Sequence, residues 1–158
     1  MTARFIADAN VGKLARWLRL MGYDTEFFAA GDDAALVARA LQEGRTILSR
    51  DTRIMQRRLV KSGRLRAVLL KDDRPENQVR QVVETLGLDS GFRPFTLCLE
   101  CNQPLAERSK AELAGLVPPY VYQTQEQFMQ CPQCRRIYWR GTHWRAMVER
   151  LKHLQSTP

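Results

Sequence analysis

The cysteines of this chain constrain its fold more than any other residue type. All four fall into two C-x-x-C pairs, Cys98 with Cys101 and Cys131 with Cys134. A single turn presents both thiolates of such a pair to one ion, so two turns complete a tetrahedral site. The pattern therefore predicts a metal held by four thiolates. It also divides the chain into a first segment without cysteine and a C-terminal segment organised around the metal.

Two disulfides or a redox-active dithiol are the alternatives to a metal. Arg4 and Asp8 interrupt any apolar run at the N-terminus, so we expect no secretory signal, a cytoplasmic location and reduced thiols. A redox dithiol would not require a second pair. Zinc is the favoured ion, but the 29 residues between the pairs exceed the usual zinc spacing. That interval resembles the one in rubredoxins, so iron stays open.

The composition is that of a soluble and basic globular protein. The 158 residues are 44% hydrophobic and 27% charged, with a formal net charge of +8 and an isoelectric point near 9.8. Apolar runs are too short to span a bilayer, so we expect no membrane segment. Basic residues outnumber acidic ones on both sides of residue 95. This balance favours a polyanionic partner such as nucleic acid.

Strand and helix signals alternate through the first part of the chain. The predicted strands cover residues 3–8, 25–29, 46–50 and 66–70. Apolar residues at helical spacing predict a helix after each strand, including one continuous basic helix over residues 52–61. Four strand–helix units in succession predict an α/β fold with a parallel sheet and helices on both of its faces.

The alternation stops before the first cysteine pair. Gly91 and Pro94 interrupt it, which predicts two domains, residues 1–93 and 94–158. The second domain closes with an apolar stripe at helical spacing, from Trp144 to Leu151. We expect this helix to pack its stripe against the cysteine segment or against the first domain.

Carboxylates follow several of the predicted strands. Asp8 ends the first strand and Asp51 follows the third, and further acids start the second helix or follow the fourth strand: Asp32, Asp33, Asp72 and Asp73. Ligands of parallel α/β sheets bind beyond the carboxyl ends of the strands, and carboxylates gathered there gain stability by binding Mg²⁺ or Mn²⁺. The later four also fit helix caps or solvated turns. Asp8 and Asp51 directly follow apolar strands and are the stronger candidates.

Basic side chains flank the same edge of the predicted sheet. The first predicted helix carries three of them opposite its apolar stripe, where a solvated face explains them: Lys13, Arg16 and Arg19. The third strand–helix unit carries a larger set: Arg50, Arg53, Arg57, Arg58, Lys61, Arg64 and Arg66. Acids able to hold a divalent ion beside cations able to hold phosphates are what phosphodiester hydrolysis requires. The combination favours a nuclease.

Four stretches of the chain together resemble one known family. They are F-I-A-D-A-N-V-G-K-L-A-R-W-L-R-L-M-G-Y-D, I-L-S-R-D-T-R, C-L-E-C-N-Q-P-L and C-P-Q-C-R-R-I-Y-W-R-G-T-H-W. In this order they are similar to the Mut-seven C-terminal RNase family, a PIN-like nuclease domain with an appended zinc ribbon. The similarity covers nearly the whole chain. It implies a PIN-like fold, metal-dependent endoribonuclease activity, and catalytic acids at Asp8, Asp33 and Asp51.

Further roles follow from this resemblance. PIN-type sites usually use another acid, for which there are four candidates: Asp32, Asp72, Asp73 and Glu76. Asn10 is a candidate neutral ligand or water-orienting group. The expected RNA contacts are Lys13, Arg16, Arg50, Arg53, Arg57 and Arg58. The expected zinc on the four cysteines is structural, because four thiolates leave no open coordination position for substrate.

Two other functions stay open. The chain could be a noncatalytic RNA-binding module with a structural zinc ribbon. A small-molecule phosphatase or nucleotide-binding domain is less favoured, because neither a P-loop nor G-x-G-x-x-G occurs in the chain. Aromatic residues near the second cysteine pair could stack on bases, although we expect most of them to pack in the ribbon: Tyr138, Trp139 and Trp144. His143 is expected to be structural.

Overall fold

A four-stranded parallel sheet forms the first half of the protein. The computed structural model describes residues 3–88 and 93–156. The strands are β1 (Phe5–Asp8), β2 (Thr25–Phe28), β3 (Thr46–Ser49) and β4 (Ala67–Leu69), in the order β2-β1-β3-β4. The helices are α1 (Gly12–Leu20), α2 (Asp33–Glu43), α3 (Thr52–Met55), α4 (Arg58–Lys61) and α5 (Pro75–Leu86). This arrangement confirms the predicted α/β fold with helices flanking a parallel sheet.

Alternation along the strands places a core on each face of the sheet. In β1, Phe5 and Ala7 pack with α1 and α5, whereas Ile6 packs with α2 and α3. In β3, Leu48 joins the first of these cores and Ile47 the second. Successive side chains of a strand point to opposite faces, so the apolar runs read as strands buried on both sides.

The prediction of one continuous basic helix over residues 52–61 is wrong. The segment forms two short helices, α3 and α4, separated by Gln56 and by an extended Arg57 at φ −62° and ψ 140°. Ile54 and Leu59 both pack in the core shared with α2. Five residues of continuous helix would rotate the second of them about 140° away from the first. The break lets both side chains reach the same core.

The second half of the protein contains a small antiparallel sheet. Its strands are β5 (Ala106–Arg108), β6 (Phe128–Gln130) and β7 (Ile137–Tyr138), in the order β5-β6-β7. In the chain, helix α6 (Pro119–Thr124) follows β5 and precedes β6, and helix α7 (Thr142–Ser156) follows β7. Phe128 and Leu113 centre a separate small core beside this sheet.

The second half packs closely against the first. Leu151 of α7 and Leu99 of the first cysteine pair belong to the core that contains α1 and α5. This confirms that the apolar stripe of the last helix packs against the first domain. Gly22, after α1, has φ +95°, and a Cβ there would lie 2.6 Å from the Cβ of Arg93. Only glycine therefore allows the segment that leads into the first cysteine pair to approach the end of α1 this closely.

The proposed boundary at residue 93/94 stays a prediction, and Gly91, which helped to suggest it, lies outside the described residues. None of the helices in the described ranges is long and apolar enough to cross a membrane.

Candidate functional site

Asp8 and Asp51 meet around the hydroxyl of Ser49. Ser49 Oγ donates to Asp8 Oδ2 at 2.7 Å and accepts from the Asp51 backbone N–H at 2.9 Å. The register that pairs Ala7 with Leu48 puts Asp8 next to Ser49, on the side of the sheet that faces α2 and α3. Ser49 is fully buried. It escaped the sequence analysis, although a serine within a buried strand, two residues before an acid, was the available signal.

Asp33 begins α2 on the same side of the sheet. Its neighbour Asp32 is the N-cap of this helix, because its Oδ1 accepts from the Ala35 N–H at 2.9 Å. That contact fits the structural role considered for Asp32. Asp33 is close enough to Arg53 to help raise the pKa of that guanidinium. The first turns of α2 and α3 thus bring Asp33 and Asp51 toward one cation.

Asn10 lies at the same edge of the sheet, in the segment that links β1 to α1. Its Oδ1 accepts from the Arg50 N–H at 3.3 Å. The carboxylate of Asp72, after β4, instead serves its own turn: it accepts from the Arg74 N–H at 2.8 Å and from Asn77 Nδ2 at 2.9 Å. Asp73 is exposed. The geometry therefore groups Asp8, Asn10 and Asp51, while the contacts of Asp72 fit a turn.

Arg53 covers the carboxylate of Asp51. Its Nη2 lies 2.9 Å from Asp51 Oδ2, and its backbone N–H donates to Oδ1 at 2.9 Å. The side-chain and backbone hydrogen bonds from Arg53 lower the pKa of Asp51, and Asp51 in return raises the pKa of Arg53. Asp51 is therefore an ionised carboxylate with a cation already bound to it.

The donor set at this edge fits a hard divalent cation. Carboxylate and amide oxygens are the ligands that Mg²⁺ and Mn²⁺ prefer, and Asp8, Asp51 and Asn10 supply them. Within residues 3–88 and 93–156, however, no three carboxylates have oxygens close enough together to form an ion site as they stand. Arg53 lies on one of these carboxylates, so binding would require its guanidinium to move.

The basic residues near the site divide into two groups. Arg50, Arg57 and Arg58 are exposed, as is Lys13 on α1. Arg16 instead forms an ion pair with Glu100, between the two cysteines of the first pair. We expected Arg19 to lie on a solvated face of α1. This expectation is wrong, because the residue is only 6% exposed. The guanidinium of Arg19 donates to the carbonyls of Thr25 at 2.8 Å and Leu99 at 2.7 Å.

The two cysteine pairs fold into equivalent turns. The N–H of Cys101 points to the Sγ of Cys98 at 3.4 Å, and the N–H of Cys134 points to the Sγ of Cys131 at 3.4 Å. The residue after each pair takes the left-handed conformation, Asn102 at φ 61° and Arg135 at φ 69°. Glycine most often marks this conformation in a sequence and neither position is a glycine, although asparagine adopts it more readily than arginine does.

These turns bring all four thiols together. Their sulfurs lie within 4.8 Å of one another, and the cysteines are not disulfide-bonded. The Sγ atoms of Cys98 and Cys134 are 3.7 Å apart, which matches the edge of about 3.8 Å that follows from Zn–S bonds of ~2.3 Å. The four cysteines could therefore bind a metal ion such as zinc, and the cluster is compatible with a zinc ribbon.

Tyr138 supports the first cysteine pair. Its Oη accepts from the Leu99 N–H at 3.1 Å and lies 3.2 Å from Cys98 Sγ, so the phenol proton is free to point at sulfur. Burial acts to raise the pKa of Cys98, but the hydrogen bonds from Tyr138 and from backbone N–H groups lower it to about 7. Metals bind the thiolate form of cysteine. Cys98 loses its thiol proton more easily than an ordinary cysteine does.

Trp144 and Trp139, two further aromatic residues near the cysteine pairs, are used in packing. Trp144 stacks on Phe95 with ring centroids 5.0 Å apart, and the guanidinium of Arg140 lies 5.5 Å from each ring. Trp139 packs beside Phe128. These contacts agree with the expectation that packing is the main use of these rings. His143 is exposed at the start of α7.

Comparison with known proteins adds one finding. Searches among curated proteins and among solved structures each found no match. A family model described as the Mut7-C RNAse domain matches residues 3–151. The description indicates a ribonuclease-type function, with RNA as the class of substrate. Because the match includes both the acidic edge and all four cysteines, the chain belongs to the Mut7-C RNAse domain family.

Proposed function

We propose that the protein is a divalent-metal-dependent endoribonuclease whose active site is the acidic edge of the parallel sheet. The observation that carries this proposal is the pairing of Asp8 and Asp51 around Ser49, since it brings two acids from separate strand ends to one place. Asp33 lies on the same side of the sheet, at the start of α2. Membership of a ribonuclease family supports RNA as the substrate.

Asp8, Asp33 and Asp51 would hold Mg²⁺ or Mn²⁺, with Asn10 as a neutral ligand. Such an ion lowers the pKa of a bound water and neutralises charge on the phosphate. The chain itself supplies the carboxylates, and in the free protein the hydrogen bonds from Arg53 lower the pKa of Asp51. Ser49 fixes the relative position of two of them. No histidine base or covalent nucleophile from the chain is needed for this chemistry.

Exposed cations beside the edge would bind the RNA backbone. Arg50, Arg57 and Arg58 lie in or next to the segment that carries α3 and α4, directly after β3. Contacts to phosphates supply affinity but little sequence preference, and they weaken with salt. Arg16 is a weaker candidate than its position on α1 suggested, because it already pairs with Glu100.

The test is cleavage of a circular RNA in Mg²⁺, Mn²⁺ or EDTA. Only an endonuclease can cut a circle, so a linear product that needs the divalent ion supports the proposal. We expect Asp8→Asn and Asp51→Asn to keep the fold and most RNA binding, yet to lose cleavage by ~100-fold or more because a metal ligand is removed. Asp72→Asn is the matched variant at the same edge, and we expect it to stay active.

A noncatalytic RNA-binding module is the second candidate. The observation that favours it is the guanidinium of Arg53 on Asp51, which places a protein cation where a metal would bind. Binding of the circular RNA without cleavage in either metal would favour this candidate. Full activity of Asp51→Asn would also reject the acidic site.

A further inference from the structure

The side chain of Arg53 is hydrogen-bonded to both carboxylate oxygens of Asp51. Arg53 Nε lies 3.1 Å from Oδ1 and 3.2 Å from Oδ2, and Nη2 lies 2.9 Å from Oδ2. The carboxylate also accepts the Arg53 backbone N–H, but a carboxylate oxygen has a second lone pair, so that contact can remain when another ligand binds. The guanidinium cannot remain in the same place, because a divalent cation would need the same oxygens and would repel its charge.

The guanidinium is free to leave at low cost. The side chain of Arg53 is 82% exposed, whereas that of Asp51 is 17% exposed. An exposed ion pair is weak and is screened by salt, so it exchanges easily for an equivalent contact. The planar fork that matches a carboxylate matches a phosphate equally well. Arg50, Arg57 and Arg58 are exposed in the surrounding sequence, where they would bring phosphates near Arg53.

We propose that Arg53 gates the active site: it covers Asp51 in the free protein and moves to an RNA phosphate when substrate binds, which releases Asp51 for the divalent ion. This inference rests on the proposed function. Its consequence is positive coupling between RNA and metal. Since coupling is reciprocal, RNA tightens metal binding by the factor by which the metal tightens RNA binding. The site would hold a divalent ion only weakly until RNA is present.

The first test measures Mn²⁺ affinity without RNA. The full chain is loaded with zinc beforehand, so that the thiolates are filled and Mn²⁺ reports on the carboxylates. Free Mn²⁺ is then followed by electron paramagnetic resonance for the wild type and for Arg53→Gln, Arg39→Gln and Asp51→Asn. We expect Arg53→Gln to bind Mn²⁺ about three- to tenfold more tightly than the wild type, because a competing cation is gone. Arg39→Gln controls for net charge, because it also removes a guanidinium from a partly exposed ion pair with a carboxylate, that of Glu43, and Arg39 has no proposed role in metal or RNA binding.

The second test repeats the titration with a 2′-O-methyl oligoribonucleotide whose integrity is checked on a gel. RNA should tighten Mn²⁺ binding in the wild type and in Arg39→Gln, and clearly less in Arg53→Gln. Affinity unchanged by Arg53→Gln, with binding that Asp51→Asn abolishes, would overturn the gate and leave the proposed function standing. Absence of Mn²⁺ binding in both the wild type and Arg53→Gln would overturn both.

Discussion

At the scale of single residues, Ser49 determines how the two central acids are arranged. Its hydroxyl donates to one carboxylate and accepts from the backbone that carries the other, and it has no exposed surface. A buried polar group whose partner is lost pays the cost of desolvation in full. The hydroxyl therefore contributes to stability and to the geometry of the candidate site together.

We expect Ser49→Ala to lower the free energy of unfolding by about 1–3 kcal/mol, because the Asp51 N–H and Asp8 Oδ2 each lose a buried partner. Metal-dependent cleavage should fall as well. Urea denaturation and the circular-RNA assay measure the two effects. Ser62→Ala is the control, since Ser62 Oγ is bonded to the Leu59 carbonyl at an exposed position, and it should change stability by less than about 0.5 kcal/mol. Equal effects of the two variants would contradict this role for Ser49.

At the scale of elements, α1 connects the parallel sheet to the first cysteine turn. Its apolar face enters the main core, and Arg19 on its other side is buried between β2 and the turn. Asn102, which follows the turn, continues this contact: its Oδ1 accepts the Thr25 N–H at 3.0 Å, and its Nδ2 donates to Asp24 at 2.6 Å. The turn thus satisfies a backbone N–H at the start of the edge strand β2.

We expect Arg19→Met to destabilise the protein by about 2–4 kcal/mol, because the carbonyls of Thr25 and Leu99 both lose a buried donor. Methionine retains most of the hydrocarbon length, so lost packing contributes little. Arg16→Met is the matched control on the same helix. Arg16 forms an ion pair with Glu100, and the two side chains are 42% and 41% exposed. Such an exposed pair should contribute less than about 1 kcal/mol to stability. A urea titration that ranks the two variants equally would refute the buried role of Arg19.

At the scale of the whole molecule, the ribbon and the parallel sheet share one core. Leu99 and Leu151 from the second half are packed with the residues of α1 and α5. A metal that organises the cysteine turns would therefore stabilise the first half as well. Protons compete with the metal for the thiolates, so retention of the metal should fall at low pH.

We expect wild-type protein to carry one zinc ion per chain, and Cys131→Ser to lose it. The variant should melt about 10 °C lower, the shift that a loss of about 3–4 kcal/mol gives a chain of this length. Metal analysis and thermal circular dichroism measure both effects. Chelation of the wild type should reproduce them, and added zinc should restore the chelated wild type but not the variant. A red, iron-containing protein would contradict zinc, and an unchanged melting temperature would contradict the shared core.

Short-range patterns in the sequence are enough to predict several features of the fold. Alternation within strands, helical spacing, and the separation of two residues within each cysteine pair are local, so they predicted the parallel sheet, its flanking helices and the four-thiolate cluster. Acids at the end of β1 and shortly after β3 also indicated the edge where Asp8 and Asp51 meet. Which polar side chains are buried or paired depends instead on contacts between elements that are distant in the sequence. Ser49, Arg19 and Arg53 look like ordinary polar residues of a strand or a helix. Their partners come from other elements, or from a turn geometry that the sequence does not display, so contacts in space assign their roles.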